Sequence, residues 1–261
     1  MSGKPAVLVT GASTGIGAIY ADRFARRGHD LVLVARDVAR LEALAERLRR
    51  ETGVAVDVLK ADLTDAAELA TVESRLREDA RIGVLVNNAG ASAPGGLLDQ
   101  GPDGAATVIA LNVTALTRLA AAVAPRFTQA GEGAIVNVGS VVGLSPEYGM
   151  TVYGATKAFV LFLSQGLDLE LSPKGVYVQA VLPSATRTEI WARAGKDVNA
   201  LPAVMEVDAL VDAALVGFDR RETVTIPPLP DLGQWEAFEA ARKAMLPGFR
   251  QADAAERYRT A

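Results

Sequence analysis

The chain has 261 residues, half of them apolar, which favours one large α/β domain with a sizeable core over two independent domains. Its net charge is −4, and no basic stripe of the kind that binds nucleic acid is visible. With no cysteine and a single histidine, His29, it offers no thiolate or histidine-rich metal site and almost nothing for a catalytic Ser-His pair.

The first predicted strand, 6–10, is an apolar run typical of a buried parallel strand. It leads directly into Gly11-Ala12-Ser13-Thr14-Gly15-Ile16-Gly17, and a helical pattern follows to Gly28. Strand, glycine-rich turn and helix in this order predict a dinucleotide site, because small residues admit a pyrophosphate and a helix N-terminus attracts its charge. The spacing is G-x-x-x-G-x-G rather than the G-x-G-x-x-G of many dehydrogenases.

The second predicted strand, 30–35, ends at Arg36. At this point a dinucleotide enzyme reads the adenosine ribose: an acid favours the free 2′-hydroxyl of NAD, whereas an arginine pairs with the 2′-phosphate of NADP. Arg36 therefore favours NADP, the alternative being an ordinary surface arginine. The following Asp37 is interpreted as the cap of the next helix.

The third and fourth predicted strands each end in polar or small residues. The strand at 54–59 leads to Asp62, which either accepts a hydrogen bond from an adenine amino group or caps the helix that begins near Asp65. The strand at 82–86 leads to Asn87-Asn88-Ala89-Gly90. Adjacent amides and small residues at a strand end suit backbone held close to a cofactor.

A glycine- and proline-rich loop is predicted at 91–103 and a helix at 104–130. Asn112 lies within that helix among apolar neighbours, so its amide must find a partner. Two readings stay open: Asn112 bridges helices, or it anchors a water chain to Lys157.

The fifth predicted strand, 134–138, delivers Ser140, and a helix is predicted from Tyr153 to Ser172. Lys157 lies one turn after Tyr153 on the same face. We expect the ammonium to lower the pKa of the phenol, which makes Tyr153 a general acid/base, while Ser140 stabilises charge on a substrate oxygen. The plain alternative is an amphipathic tyrosine beside a solvated lysine.

The helix at 153–172 is apolar nearly all round, which predicts a second buried face and hence a subunit interface. A sixth strand at 176–182, a mobile lid over the substrate at 189–205, a last strand at 223–226 and a helical tail at 230–261 follow. Strands alternating with helices predict a doubly wound sheet in a single domain. We see no apolar run that could span a membrane and no signal-peptide core, and therefore expect a cytosolic protein.

Taken together, the ordered elements T-G-x-x-x-G-I-G, N-N-A-G, Asn112, Ser140 and Y-x-x-x-K resemble those of the short-chain dehydrogenase/reductases, over about residues 5–226. The resemblance implies a three-layer Rossmann fold with a seven-stranded parallel sheet, a nicotinamide cofactor, and a homodimer or homotetramer.

By that resemblance, Tyr153 is the proton donor or acceptor, Ser140 orients the substrate oxygen, Lys157 holds the ribose and Asn112 supports a proton-relay water. The implied cofactor-binding residues, besides Arg36, Tyr153 and Lys157, are Gly11, Ser13, Thr14, Gly15, Ile16, Asp62, Leu63, Asn88, Ala89, Gly90, Pro183, Thr186 and Thr188. No metal site is implied.

Two residues depart from the family pattern. Ser184 replaces the usual glycine beside the nicotinamide, and Thr14 stands where many NADP-dependent members carry a basic residue. Arg36 is then the main reader of the phosphate, so NADP(H) is preferred and NAD(H) is possible.

The implied reaction is hydride transfer between the nicotinamide and a carbonyl or secondary alcohol. The segments expected to set specificity, 91–99, 141–150 and 189–205, are apolar and glycine-rich, which favours a hydrophobic substrate. One alternative is a ketoreductase for carrier-bound or thioester-linked 3-oxoacyl groups, with Arg118, Arg126 and Arg187 available to dock an acidic carrier. Another is a non-catalytic NAD(P)-binding sensor or scaffold.

Overall fold

The computed structural model describes residues 3–93, 96–193, 195 and 197–259. Parts of the predicted specificity segments (94–95, 194 and 196) and the last two residues of the predicted tail lie outside these described residues. The chain divides into two compact units, Met1–Pro227 and Pro228–Ala261.

Seven strands form one parallel sheet in the first unit, as predicted. The strands are β1 (Ala6–Thr10), β2 (Leu31–Ala35), β3 (Val56–Lys60), β4 (Ile82–Asn87), β5 (Gly133–Val138), β6 (Val176–Val181) and β7 (Val224–Thr225). Their spatial order is β3-β2-β1-β4-β5-β6-β7. The order reverses between β1 and β4, and ligands bind at such a switch point, beyond the carboxyl ends of the strands.

Helices flank this sheet and complete the predicted doubly wound fold. They are α1 (Gly15–Arg26), α2 (Val38–Thr52), α3 (Ala66–Glu78), α4 (Leu97–Ile109), α5 (Leu116–Ala130), α6 (Thr151–Leu171), the short α7 (Ile190–Arg193) and α8 (Val207–Asp219). One apolar cluster includes Phe24 of α1, Leu41 of α2 and Leu215 of α8. A second cluster includes Leu76 of α3 and Phe127 of α5. Because helices cover both faces, β1 and β6 are buried at every position, which explains why both strands are mainly apolar, with Thr10 and Gln179 as buried polar residues.

The region after β4 differs from the prediction of a plain loop to residue 103. Helix α4 already begins at Leu97, after Gly96, whose N–H donates to Oδ2 of Asp99 at 2.8 Å. Gly101 interrupts the helix with a φ of +62°, and the fixed φ of Pro102 starts the next helical turn. Between α4 and α5, residues Ala110–Ala115 form a π-helical turn that the sequence pattern did not predict.

Helix α6 carries the excess apolar residues that predicted a subunit interface. Val160 and Leu171 are buried against the sheet, whereas Phe162 and Leu169 are 75% and 78% exposed in the single chain. The second apolar face therefore exists on the surface of this unit.

Among the described residues, the helical stretch Leu97–Ala130 is long and apolar enough to cross a membrane by length and composition, and an 18-residue window within it has a mean hydropathy of 1.6. This differs from the expectation that no apolar run of the chain could span a membrane. In the fold its α5 part packs on α3, β4 and β5. Because the core helix of a globular protein meets the same criterion, this stretch is weak evidence for a membrane span.

The second unit contains helix α9 (Leu232–Ala244), which lies within the segment 230–261. Within it, the rings of Trp235 and Phe238 stack with centroids 5.5 Å apart, and Arg242 forms an ion pair with Glu239 at 2.8 Å.

Candidate active site

A cavity of about 830 Å³ lies beyond the carboxyl ends of the strands in the first unit. Its volume falls within the range of small-molecule and cofactor sites, roughly 300–1,000 Å³. Every residue predicted from the sequence as catalytic or cofactor-binding lines this cavity except Asn112. The fold thus brings together segments that follow β1, β2, β3, β4, β5 and β6.

The glycine turn after β1 is packed too tightly for side chains. A Cβ at Gly17 would lie 2.4 Å from the carbonyl oxygen of Gly11 and 2.5 Å from Nδ2 of Asn88. Thr10 and Asn88 hold the turn in place: Nδ2 of Asn88 donates to the Thr10 carbonyl at 2.8 Å, and Oγ1 of Thr10 accepts from the N–H groups of Asn88 and Ala89, each at 3.0 Å. The side chain of Asn88 therefore holds the backbone of the turn in position through a hydrogen bond.

Helix α1 begins at this turn, and its N-terminus faces the cavity. Thr14 is the N-cap residue but makes no side-chain capping hydrogen bond. Main-chain N–H groups at a helix N-terminus bind anions, and the helix dipole favours negative charge there. The turn and this helix start therefore fit a dinucleotide pyrophosphate.

At the other end of the cavity Arg36 lies beside Asp62, with Nη1 3.6 Å from Oδ2. Asp62 also accepts from the N–H and Oγ1 of Thr64. Although partial burial acts to raise the pKa of Asp62, these hydrogen bonds and the charge of Arg36 hold it below its usual value. Asp65, not Asp62, caps α3, and Asp37 caps α2 as predicted. Asp62 therefore takes no part in the helix cap, and its carboxylate lies beside Arg36 in the cavity lining.

Ser140, Tyr153 and Lys157 meet where β5 passes into α6. Oγ of Ser140 donates to the Pro183 carbonyl at 3.2 Å and accepts from the N–H of Val142 at 3.2 Å. Nζ of Lys157 donates to the Val138 carbonyl at 2.8 Å and lies 5.6 Å from the centroid of the Tyr153 ring. A hydroxyl, a phenol and an amine therefore face the same cavity.

Asn112 lies in the π-helical turn and is 1% exposed. Its Nδ2 donates to the Ala91 carbonyl at 2.9 Å and to Oγ1 of Thr156 at 3.0 Å, while its Oδ1 accepts from the N–H of Ala91 at 2.9 Å. Of the two readings left open by the sequence, the structure displays the first: Asn112 ties α6 to the segment that follows β4.

The remaining part of the cavity is mainly apolar. It is lined by Leu111, Val142, Met150, Ile190 and Trp191. The hydroxyl of Thr107 also lies here and donates to the Asp103 carbonyl at 2.9 Å. Apart from Lys157, the described charged residues that line the cavity are on the side of the glycine turn and β2: Arg36, Asp37, Arg40, Asp62 and Glu189. This arrangement suits an uncharged organic group next to Ser140 and Tyr153.

A family model described as short chain dehydrogenase matches residues 5–199. The chain belongs to the short-chain dehydrogenase/reductase family. It is 37% identical over 247 residues to a sulfoacetaldehyde reductase from Chromohalobacter salexigens, an alignment that covers 89% of this chain and 96% of the relative. The family assignment makes this protein an oxidoreductase, as the sequence predicted.

Two solved structures of this family are similar over nearly the whole chain. A short-chain dehydrogenase from Sphingobium yanoikuyae in complex with NADPH is 71% identical, with a TM-score of 0.97 and coverage of 98% of this chain and 100% of that one. A bulky-bulky ketone specific alcohol dehydrogenase from Comamonas testosteroni is 60% identical, with a TM-score of 0.92 and coverage of 98% and 99%.

One electrostatic expectation for this short-chain dehydrogenase/reductase differs from the structure. Burial raises the pKa of Tyr153 to about 12, and a hydrogen bond with the Ser140 side chain acts in the opposite direction. Burial also lowers the pKa of Lys157 to about 8. The predicted lowering of the phenol pKa by the lysine is therefore absent from this chain taken alone, because desolvation of the buried phenol is the dominant effect.

Sequence reasoning missed several residues that shape the site. Thr10 is the first residue of the T-G-x-x-x-G-I-G element, but no role was predicted for it; it is a buried polar residue at the end of an apolar strand, immediately before the glycine turn. Thr156 directly precedes Lys157 on α6. Arg40 and Glu189 both line the cavity although they are 149 positions apart. No local sequence pattern around either residue predicts their contact.

Proposed function

We propose that this short-chain dehydrogenase/reductase transfers a hydride between NADP(H) and an apolar ketone or its secondary alcohol, with Tyr153 as the general acid/base. The observation that carries the proposal is the position of Tyr153 and Ser140. They lie between the part of the cavity that fits a dinucleotide and the part that is apolar.

The residues present fit a nicotinamide dinucleotide. The glycine turn and the N-terminus of α1 would hold the pyrophosphate, Arg36 and Asp62 the adenosine end, and Lys157 the ribose. When bound, the nicotinamide supplies or accepts the hydride. The guanidinium of Arg36, 71% exposed on the side chain, supports a preference for NADP(H), as does the NADPH-bound relative, and NAD(H) remains a possible coenzyme.

The residues of this chain then handle the proton and the substrate oxygen. In reduction, Tyr153 donates its phenol proton to the carbonyl oxygen, and the raised pKa keeps that proton in place at neutral pH. Ser140 donates to the same oxygen after releasing the Pro183 carbonyl. Lys157 is anchored by the Val138 carbonyl, which fixes its ammonium near the ring of Tyr153. In oxidation Tyr153 takes the proton back.

The substrate we propose is bulky and uncharged. The apolar lining of the cavity supports this, as does the similarity to the bulky-bulky ketone specific alcohol dehydrogenase from Comamonas testosteroni. A sulfonate, as in the substrate named for the Chromohalobacter salexigens relative, needs a cation beside it. The described residues of the apolar part offer none besides Lys157. We propose that segment 189–205 covers this substrate.

The carrier-linked alternative needs basic side chains that are available to an acidic partner. Arg118 pairs with Glu73, Arg187 donates to Glu206 at 2.8 Å, and Arg126 donates to two main-chain carbonyls. All three are engaged within the chain, so we favour a free small-molecule substrate.

We also propose that the enzyme is a cytosolic homodimer or homotetramer built as a single Rossmann domain with a helical tail. The exposed apolar face of α6, including Phe162 and Leu169, is the surface that such an assembly would cover. Light scattering of Phe162→Glu, with exposed Tyr148→Glu as the control, tests the assembly. Only the first variant should lose the wild-type mass.

The experiment that tests the reaction combines two measurements on wild type, Tyr153→Phe and the control Tyr258→Phe, an exposed tyrosine that does not line the cavity. Titration with NADPH, followed by nicotinamide fluorescence, measures binding, and NADPH consumption with bulky aryl ketones measures turnover. We expect all three proteins to bind NADPH and only Tyr153→Phe to lose activity, by roughly 10²-fold or more.

Activity of Tyr153→Phe within a few-fold of wild type would contradict the assigned role of the phenol. Binding without turnover of any ketone or alcohol by wild type would favour the non-catalytic sensor. Absence of NADPH and NADH binding would overturn the coenzyme assignment itself.

A further inference from the structure

One ion pair crosses the mouth of the cavity. Arg40 lies in the first turn of α2, and its Nη1 donates to Oε1 and Oε2 of Glu189 at 2.8 and 2.9 Å. Arg40 follows β2 and Glu189 follows β6, and these strands are four spacings apart in the sheet, about 19 Å at the usual ~4.8 Å per spacing. The pair therefore joins opposite sides of the switch point.

The chain around Glu189 reaches this far because it lies across the glycine turn. Cγ2 of Thr188 is 3.2 Å from the position that a Cβ at Gly15 would take. At its base the same segment is fixed by main-chain hydrogen bonds from Arg187 to Met205 at 3.0 Å and from Met205 to Ala185 at 2.9 Å. The base is thus held by the backbone, and the far end is held to α2 by Arg40.

We propose that Arg40 and Glu189 form a clasp that retains the bound dinucleotide. This inference rests on the coenzyme site proposed above. Both residues line the same cavity as Ser13, Arg36 and Asp62. A dinucleotide held by those residues is enclosed by the segment that Glu189 ties down, so its release requires the ion pair to open. Arg40 and Glu189 are positioning residues and take no part in the chemistry.

We expect loss of this ion pair to cause a modest increase in the rate of coenzyme release. The side chains of Arg40 and Glu189 are 48% and 47% exposed, and an ion pair of that exposure changes a rate by roughly two- to fivefold. Nε of Arg40 lies 3.4 Å from Oδ2 of Asp37, which helps to hold the guanidinium in position. Because salt screens exposed charges, the effect decreases as ionic strength rises.

The test is the dissociation rate of the reduced coenzyme, measured by stopped-flow fluorescence after displacement with excess oxidised coenzyme. The proteins are wild type, Arg40→Gln, Glu189→Gln, the double variant, and the charge exchange Arg40→Glu with Glu189→Arg. Glu206→Gln is the matched control, since Glu206 pairs with Arg187 on the same segment but does not line the cavity. Each protein is measured with NADPH and with NADH.

We expect both single variants and the double variant to release coenzyme roughly two- to fivefold faster at low salt, and by a similar factor for NADPH and NADH. The charge exchange should restore much of the wild-type rate, and Glu206→Gln should leave it unchanged. Recovery in the charge exchange would show that the ion pair itself, and not either side chain alone, sets the release rate.

Unchanged rates in Arg40→Gln and Glu189→Gln would overturn the clasp. The clasp would also be overturned if Arg40→Gln changed the release rate of NADPH but not of NADH, and Glu189→Gln released coenzyme more slowly than wild type. Arg40 would then bind the 2′-phosphate of NADPH, and Glu189 would compete with that phosphate for Arg40. Failure of the wild type to bind either coenzyme would instead overturn the proposed function, so the two failures are distinguishable.

Discussion

Nδ2 of Asn112 donates to Oγ1 of Thr156 at 3.0 Å, and Oγ1 of Thr156 donates in turn to the carbonyl of Tyr153 at 2.7 Å. This chain of hydrogen bonds connects the π-helical turn between α4 and α5 to the first turn of α6. Both Asn112 and Thr156 are buried. The position of the Tyr153 phenol therefore depends on the hydrogen bond between Asn112 and Thr156 as well as on the backbone of α6.

Thr156→Val should weaken activity more than it weakens coenzyme binding. The substitution keeps the shape of the side chain but leaves one Nδ2 hydrogen of Asn112 without an acceptor, at a cost of roughly 1–3 kcal/mol in the free energy of unfolding. The loosened start of α6 misplaces Tyr153, and we expect kcat to fall roughly tenfold. Thr117→Val is the control: Oγ1 of Thr117 donates to the Val113 carbonyl at 2.7 Å, and Thr117 does not line the cavity.

Steady-state kinetics and urea unfolding of these two variants separate the effects. If Thr117→Val lowered kcat as much as Thr156→Val, the link from Asn112 to Tyr153 would have no special role. Equal kcat values for Thr156→Val and wild type would lead to the same conclusion.

The strands and the glycine turn could be predicted because their signals are local. A parallel strand covered on both faces is an apolar run, and β1 was predicted at its observed bounds, 6–10. Since the strands run parallel, the residues that follow them meet at one edge of the sheet. That topology brings Gly11, Arg36 and Ser140 to one cavity.

Other features depend on tertiary contacts and leave no local signal. The π-helical turn surrounds Asn112, whose partners Ala91 and Thr156 lie 21 and 44 residues away. Spacing alone placed Lys157 beside Tyr153 correctly but could not reveal that burial raises the pKa of the phenol. The pairing of Arg40 with Glu189 could not be predicted because it depends on segment 183–189 extending across the sheet edge as far as α2.

Arg36→Gln should reduce the affinity for NADPH and leave that for NADH nearly unchanged. The guanidinium of Arg36 lies at the open end of the cavity beside Asp62, where it can pair with a 2′-phosphate. A charge-assisted hydrogen bond is worth about 1.5–3 kcal/mol, which corresponds to roughly a 10- to 100-fold rise in the Kd of NADPH. Fluorescence titration measures both coenzymes, with exposed Arg50→Gln on α2 as the control. Equal losses for NADPH and NADH would show that Arg36 does not read the phosphate.

Gly17→Ala should abolish dinucleotide binding and destabilise the protein. The added Cβ would lie 2.4 Å from the Gly11 carbonyl oxygen, a backbone atom that cannot move without displacing the turn. Gly104→Ala is the control, because it is also a helical glycine and its Cβ would meet only Cβ of Gln100, at 3.4 Å. Ala is the better helix former by roughly 0.5–1 kcal/mol, so Gly104→Ala should be neutral or stabilising. Thermal unfolding and NADPH titration measure both, and normal binding by Gly17→Ala would refute the tight turn.

Without coenzyme, the stability of the wild-type protein should rise with pH because of Lys157, and this rise should be absent from Lys157→Met. Burial lowers the pKa of Lys157 to about 8 in the folded state, against about 10.4 for an unfolded chain. Below pH 8 both states carry the proton, and the penalty for the buried ammonium is fully present. Between these two values the folded state has released the proton while the unfolded state still binds it, so the free energy of unfolding increases with pH.

The slope that this single group adds is at most about 1.4 kcal/mol per pH unit, and the total is on the order of 3 kcal/mol. Urea unfolding of wild type and Lys157→Met at several pH values from 7.5 to about 9.5 measures the difference directly, because all other titrating groups are shared. The raised pKa values of Tyr20 and Tyr177 act in both proteins and cancel in that difference. If the difference in the free energy of unfolding between wild type and Lys157→Met stayed constant over this range, Lys157 would keep its proton in the folded state. Its ammonium would then be available to the ribose at every pH at which the enzyme is folded.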